Sequence, residues 1–146
     1  MSQSQSDQHR FAMQVAQLSR AWRAELDRRL VGLGLSQARW LVLLHLSRFE
    51  ELPTQRELAQ SVGVEGPTLA RLLDSLEAQG LVSRQAVPED RRSKKIALSP
   101  QAQPLIEKIE AISTQLRQEV FAGIDEDELR RCQQVHKRIL GNLEKR

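Results

Sequence analysis

The chain has 146 residues, the size of one domain with helical extensions, and its 40% hydrophobic content is enough for a core and excludes a wholly disordered polymer. Aromatic residues make up only 3%, with no Tyr, which argues against a carbohydrate-stacking site or an aromatic platform for single-stranded nucleic acid. Lys and Arg number 22 against 19 Asp and Glu, a net charge of +3 that by itself is a weak sign of polyanion binding. Cys132 is the one cysteine, so no intrachain disulfide can form. No run reaches transmembrane length, and the polar first ten residues lack the apolar core of a secretion signal, so a cytoplasmic protein with no membrane partner is expected.

In chain order, residues 1–8 are rich in Ser and Gln and are expected to fray. Phe11, Val15, Leu18, Trp22, Leu26 and Leu30 then recur at steps of three and four, the mark of one face of a long helix, which Gly32 and Gly34 end. Ser36 is placed to cap a second helix carrying Trp40, Leu41, Leu43, Leu44 and Leu46, and residues 49–53 read as a connector. Thr54, with Glu57 three residues on, forms a capping box for a short helix that runs through Leu58 to about Ser61 and is broken by Gly63. Another helix starts near Pro67, carries Leu69, Leu72, Leu73 and Leu76, and stops at Gly80. Residues 81–86 read as a strand; Pro88, Glu89 and Asp90 read as a turn. Residues 94–98 alternate, with Ile96 and Leu98 on one side and Lys95 and Ala97 on the other. Ser99 and Pro100 open a long helix striped by Leu105, Ile106, Ile109, Ile112, Leu116 and Val120. After Gly123, Asp125 caps a last helix with Glu128 as its capping partner, striped by Leu129, Cys132, Val135, Ile139, Leu140 and Leu143.

The helix pair around residues 61–66 fits a helix-turn-helix, in which the N-terminal residues of the second helix reach base edges in the major groove. Here those residues are Glu65, Gly66, Pro67, Thr68 and Arg71. Gly66 permits close approach to a sugar–phosphate backbone, Thr68 can bond phosphate or base, and Arg71 can make a bidentate contact to guanine. Helix pairs of this kind are also common in proteins that never meet DNA. The hairpin that follows makes the difference, because it stands where a wing would stand. The positive excess is partly gathered there, in Arg84, Arg91, Arg92, Lys94 and Lys95 against Glu89 and Asp90. An arginine at such a tip can enter the narrow, negative minor groove, and the lysines suit phosphates. The blander explanation, a charged hairpin that protects an edge strand, accounts for the charge but not for its position.

The segment LPTQRELAQSVGVEGPTLARLLDSLEAQGLVSRQAVPEDRRSKKIALS, residues 52–99, resembles the winged helix of the MarR family of bacterial transcription regulators. EAQGLVSR followed by EDRRSKKIALS carries the strand–wing–strand signature, and LSQARWLVLLHL with PLIEKIEAI is similar to the SlyA-like branch. The resemblance implies a fold that is mainly α with a small β-hairpin: a winged helix-turn-helix DNA-binding domain over residues 35–99, flanked by helical dimerisation regions over 1–34 and 100–146. It implies double-stranded DNA as partner and no cofactor. The DNA-binding set it implies is Thr54, Glu65, Gly66, Pro67, Thr68, Arg71, Arg84, Asp90, Arg91, Arg92 and Lys94. Within that set Arg92 enters the minor groove, Asp90 holds neighbouring arginines by ion pairing, Thr68 and Arg71 meet the major groove, and Arg84, Arg91 and Lys94 bind the backbone or support the others.

The resemblance also implies a homodimer on a pseudo-palindromic operator, and the apolar stripes of the terminal helices agree, since such a stripe must be covered by something. An intrachain helical bundle would use the same residues. A small aromatic carboxylate that releases the DNA is a further implication, with Trp22, Arg23, Trp40 and His45 on helices that could line its pocket; the plainer expectation for Trp40 is a place in the core. Cys132 falls on the stripe of the last helix, where a buried, inert thiol is expected. His9, His45 and His136 share no metal-ligand spacing, so no metal site is expected. No nucleophile elbow, phosphate loop, dinucleotide fingerprint or zinc-protease motif occurs, so an enzyme is not expected. The competing class is a winged-helix protein-interaction module that does not bind DNA.

Overall fold

The computed structural model describes residues 2–146, the side chain of Arg91 excepted. Helix α1 spans Gln3–Leu30. It begins earlier than its composition suggests because Ser2 and Gln5 form a reciprocal capping box. The Ser2 hydroxyl accepts from the Gln5 N–H at 3.1 Å, and the Gln5 amide oxygen accepts from the Ser2 N–H at 3.0 Å. The expectation of fraying therefore gives way to a helix from residue 3. Near its end Glu25 bonds Arg28 and Arg29; the Arg28 hydrogen bond above all lowers its carboxyl to about 2. A single 3-10 turn, Val31–Leu33, and Gly34 in the left-handed region follow.

Helix α2 (Gln37–Ser47) starts under the Ser36 cap and is buried along most of its surface. Trp40 is only 1% exposed, as its place beside Leu43 and Leu44 predicts, and its indole N–H reaches Asp27 of α1 at 3.1 Å. A buried indole with its one donor satisfied contributes packing at no polar cost. Helix α3 (Gln55–Val62) carries the predicted capping box, Thr54 with Glu57. The Thr54 backbone and side-chain bonds, followed by Lys95 nearby, hold the Glu57 carboxyl below the usual range. Gly63, at φ 84°, ends α3 in a conformation that a side chain would strain, and its N–H and that of Val64 both close on the Ala59 carbonyl.

Helix α4 (Gly66–Ala78) buries Leu69, Leu73 and Leu76 completely. These three make its inner face, and Leu72 is half-buried. Gly80, at φ 76°, turns the chain into β1 (Val82–Val87), which pairs antiparallel with β2 (Asp90–Leu98). Ile96 is fully buried and Ala97 is largely buried too, so the inner end of β2 is covered on both faces and the expected alternation is lost there. The segment read as a connector adds to the sheet: Ile96 N–H donates to the Pro53 carbonyl at 2.9 Å, and Thr54 bridges to Lys95. Ser99 closes the hairpin base through its N–H to Leu81 and its hydroxyl to the Gly80 carbonyl.

A 3-10 turn, Pro100–Ala102, leads into α5 (Gln103–Val120). In the unit formed by residues 1–113, Ala102, Ile106 and Ile109 are buried with the α2–α4 core, and Glu110 accepts from Ser47 and pairs with Arg48 of α2. Residues 114–146 form a second unit that contains α6 (Glu126–Glu144), capped by Asp125 on the N–H groups of Asp127 and Glu128. Its apolar stripe is largely exposed, and Cys132 with it. The buried thiol expected from the sequence is thus corrected: a stripe at helical spacing shows which residues share a face, not that the same chain covers that face.

His45 on α2 meets the Ser61 hydroxyl on α3 at 2.8 Å. Its ring is half-buried, and burial first, then the charges of Arg48 and Arg23, hold its pKa below the ordinary histidine value. The folded chain resists a proton that the unfolded chain accepts near pH ~6.5. The corresponding stability is present above that pH and is lost as pH falls through it toward the lower folded value. Replacing His45 with Gln is expected to flatten the loss, so the urea midpoint of wild type falls further than the variant's between about pH 7.5 and 5.5. Parallel curves would show that His45 is not the titrating group.

Candidate nucleic-acid interface

The N-terminus of α4 is open on its outer side because the apolar side chains all turn inward. Glu65 is its N-cap residue but makes no side-chain capping bond, so the first N–H groups of α4 are left for another acceptor. Gly66, Pro67 and Arg71 are exposed and Thr68 is half-exposed. Nothing stands where a Cβ on Gly66 would lie, so the open space there belongs to whatever approaches the helix.

The wing is built around a bulge. Ala86 pairs with Lys94, while the next residue, Val87, pairs with Asp90. Between these two pairs β2 holds residues 91–93 and β1 holds none, which makes a bulge. The Asp90 carboxylate holds them: one oxygen accepts from the Arg92 N–H at 3.0 Å and the other from the Ser93 hydroxyl at 3.0 Å. In this way Asp90 fixes the backbone that presents Arg92. Arg92 and Lys94 are exposed. Arg91 belongs to the expected set, but its side chain lies outside the described residues.

These two features share one groove of about 680 Å³, lined by Thr54, Gln55, Arg56, Ala59 and Gln60 of the α3 start, Val64, Glu65 and Gly66 of the turn, and Arg92, Ser93 and Lys94 of the wing. Of the expected residues, Thr54, Glu65, Gly66, Arg92 and Lys94 meet around it. Pro67, Thr68 and Arg71 continue along α4 beyond it. The sequence reading missed Arg56, Gln55 and Gln60. A usable signal existed for Arg56: a cation in the first turn of a helix opposes the helix dipole, so its position calls for a reason outside the helix.

Arg84 is the member of the set that the structure removes from the outer surface. Its side chain is 19% exposed. Nη1 donates to Asp74 at 2.8 Å and to Glu77 at 3.4 Å, Nη2 donates to the Ala70 carbonyl at 2.8 Å, and Nε donates to Gln55 at 3.4 Å. A guanidinium so occupied, with two carboxylates beside it, is a poor phosphate ligand.

The residues proposed for an effector lie apart from the groove. Trp40 is sealed in the core, Arg23 is exposed, Trp22 and His45 are half-buried, and Arg23 and Arg48 both act on His45. Among the described residues no group of three His, Cys, Asp or Glu side chains is arranged to hold a metal ion, and no single helix is long and apolar enough to cross a membrane.

Residues 33–93 match the family model described as MarR family. The crystal structure of the transcriptional regulator PA3341 is similar at 69% identity, covering 93% of this chain and 99% of that one, with a TM-score of 0.88. CouR from Rhodococcus jostii RHA1, solved bound to p-coumaroyl-CoA, is 26% identical, covering 94% and 95%, with a TM-score of 0.78. S. aureus MepR, solved as a DNA complex, shares the fold at 20% identity, covering 90% and 97%, with a TM-score of 0.76. With a winged helix matched by the family model and a transcription regulator related over nearly the full length of both chains, this chain belongs to the MarR family and is a transcription regulator.

Proposed function

We propose that the chain is a sequence-specific regulator that binds double-stranded DNA as a homodimer on a pseudo-palindromic operator. The observation that carries this reading is the shared groove, where the N-terminus of α4 and the wing bulge converge with Arg56, Arg92 and Lys94 around them. In this reading α4 lies in the major groove, with Thr68 and Arg71 at base edges and Gly66 and Pro67 allowing close approach. Arg92 enters the minor groove, while Thr54, Arg56, Arg91 and Lys94 serve the phosphates. We place the chain in the SlyA-like branch on LSQARWLVLLHL and PLIEKIEAI; such a dimer is a repressor where it occludes a promoter and a de-repressor where it displaces a silencing protein.

The dimer reading is supported by apolar side chains left in water. Phe11, Val15 and Leu18 of α1 and Val135, Ile139, Leu140 and Leu143 of α6 are 37% to 62% exposed. Stripes of that kind on long helices mark an interface, and a two-fold pair would set two recognition helices ~34 Å apart, one turn of DNA. On this reading the 1–34 and 100–146 regions are the dimerisation helices and 35–99 the DNA-binding domain. Light scattering at micromolar concentration is expected to return the mass of two chains; the mass of one chain would end the dimer reading.

A small aromatic carboxylate as releasing ligand is favoured by one observation, the half-buried His45 on α2, on which the charges of Arg48 and Arg23 act. In this reading half-buried Trp22 and exposed Arg23 of α1 complete the lining, while Trp40 belongs to the core. Binding to duplexes selected from random sequence tests both parts. Arg92→Ala is expected to weaken binding and to reduce the salt slope by about one phosphate contact. An Arg92→Ala chain that binds as wild type does, with the same slope, would favour a protein-interaction module instead. Added salicylate-like acid is expected to lower the wild-type affinity, and an unchanged isotherm removes the effector from the reading.

A further inference from the structure

We propose that Arg84 is a positioning residue for DNA reading: from the wing strand it fixes the roll of α4, and so the aim of Thr68 and Arg71, without touching DNA itself. This rests on the DNA-binding reading above. The inner face of α4 is held by Leu69, Leu73 and Leu76, and apolar contacts of that kind are non-directional, leaving a helix free to roll or slide slightly against its bed. Arg84 supplies the missing direction. Its planar guanidinium meets α4 at two successive turns, at the Ala70 carbonyl and the Asp74 carboxylate, both at 2.8 Å, and reaches Glu77 one turn further at 3.4 Å. The Arg84 backbone N–H also donates to Glu77 at 3.2 Å, and Nε ties in Gln55 of α3. Ala70 immediately precedes Arg71, so the clamp grips the backbone beside the side chain that reads.

The other end of the clamp is equally firm. Arg84 pairs with Ile96, which is fully buried, in the hairpin ladder whose far end carries Arg92. Recognition helix and wing are thereby held in one mutual orientation. A planar fork with five fixed donors can do this, and a single ammonium cannot.

The test titrates wild type, Arg84→Met, Arg84→Lys and Asp74→Asn with a duplex selected by wild type and with an unrelated duplex, over a range of salt. Arg84→Met is expected to bind the selected duplex about ten-fold or more weakly, the scale of losing hydrogen bonds to charged groups. Its affinity for the unrelated duplex and its salt slope are expected to match wild type, because no phosphate contact is lost. Arg84→Lys is expected not to restore discrimination. Asp74→Asn separates the explanations most sharply. Removing an exposed negative charge from a DNA-facing helix tightens binding if charge alone matters, whereas the clamp requires weaker binding to the selected duplex. Asp74 is 70% exposed, so this variant carries the test even if Arg84→Met does not fold. A salt slope reduced by about 0.9 in Arg84→Met would make Arg84 a phosphate ligand and overturn the proposal. Undiminished discrimination in that variant, or tighter selected binding by Asp74→Asn, would overturn it too. Wild type that bound neither duplex would bring down the DNA-binding reading itself, a failure distinct from that of the clamp.

Discussion

Leu69, Leu73 and Leu76 bury one side of α4 without remainder, and this apolar seam decides where the charged groups of the domain end up. A helix 13 residues long has only two sides to give. Once one side is committed to α2 and α3, the other must face solvent or a polyanion. The same seam fixes which end is exposed, because Gly63 turns α3 away and leaves the first N–H groups of α4 uncapped by side chains. Everything polar about the site is arranged around a decision made by burial.

The electrostatics follow a division of labour. Four acidic groups in the domain serve structure: Glu57 caps α3, Asp90 holds the wing bulge, and Asp74 and Glu77 occupy Arg84. Arg56, Arg92 and Lys94 are exposed around the groove. The net charge of +3 therefore says little of the local field, which depends on which carboxylates are engaged by N–H groups or arginines and which, like Glu65, face the groove.

Much of this was legible in the sequence, and what was not has identifiable causes. Caps at Ser36, Thr54 and Asp125 were readable because a short polar side chain before an apolar period has one good use. The helix order and the hairpin followed from periodicity. The capping box of Ser2 was hidden because Ser and Gln are equally at home in a frayed end. The internal role of Arg84 was hidden because its partners lie 7 to 29 residues away in the chain and meet it only after α4 has packed. The bonds from Asp90 to the Arg92 N–H and the Ser93 hydroxyl were hidden too, since composition shows a carboxylate among arginines but not where its oxygens turn. Cys132 failed for another reason: periodicity names a face and is silent on what covers it.

The bulge at residues 91–93 has a consequence for how this surface can vary. In an uninterrupted antiparallel ladder, one added or lost residue turns every later side chain to the opposite face, and Ile96 would leave the core. Here the excess residues already stand outside the ladder, between the Val87–Asp90 pair and the Ala86–Lys94 pair. Changes of length or composition at the tip are absorbed where no pairing exists, while Lys94 to Leu98 keep their register against β1. The wing is thus modular: the part that meets a ligand can be rewritten without renegotiating the part that folds.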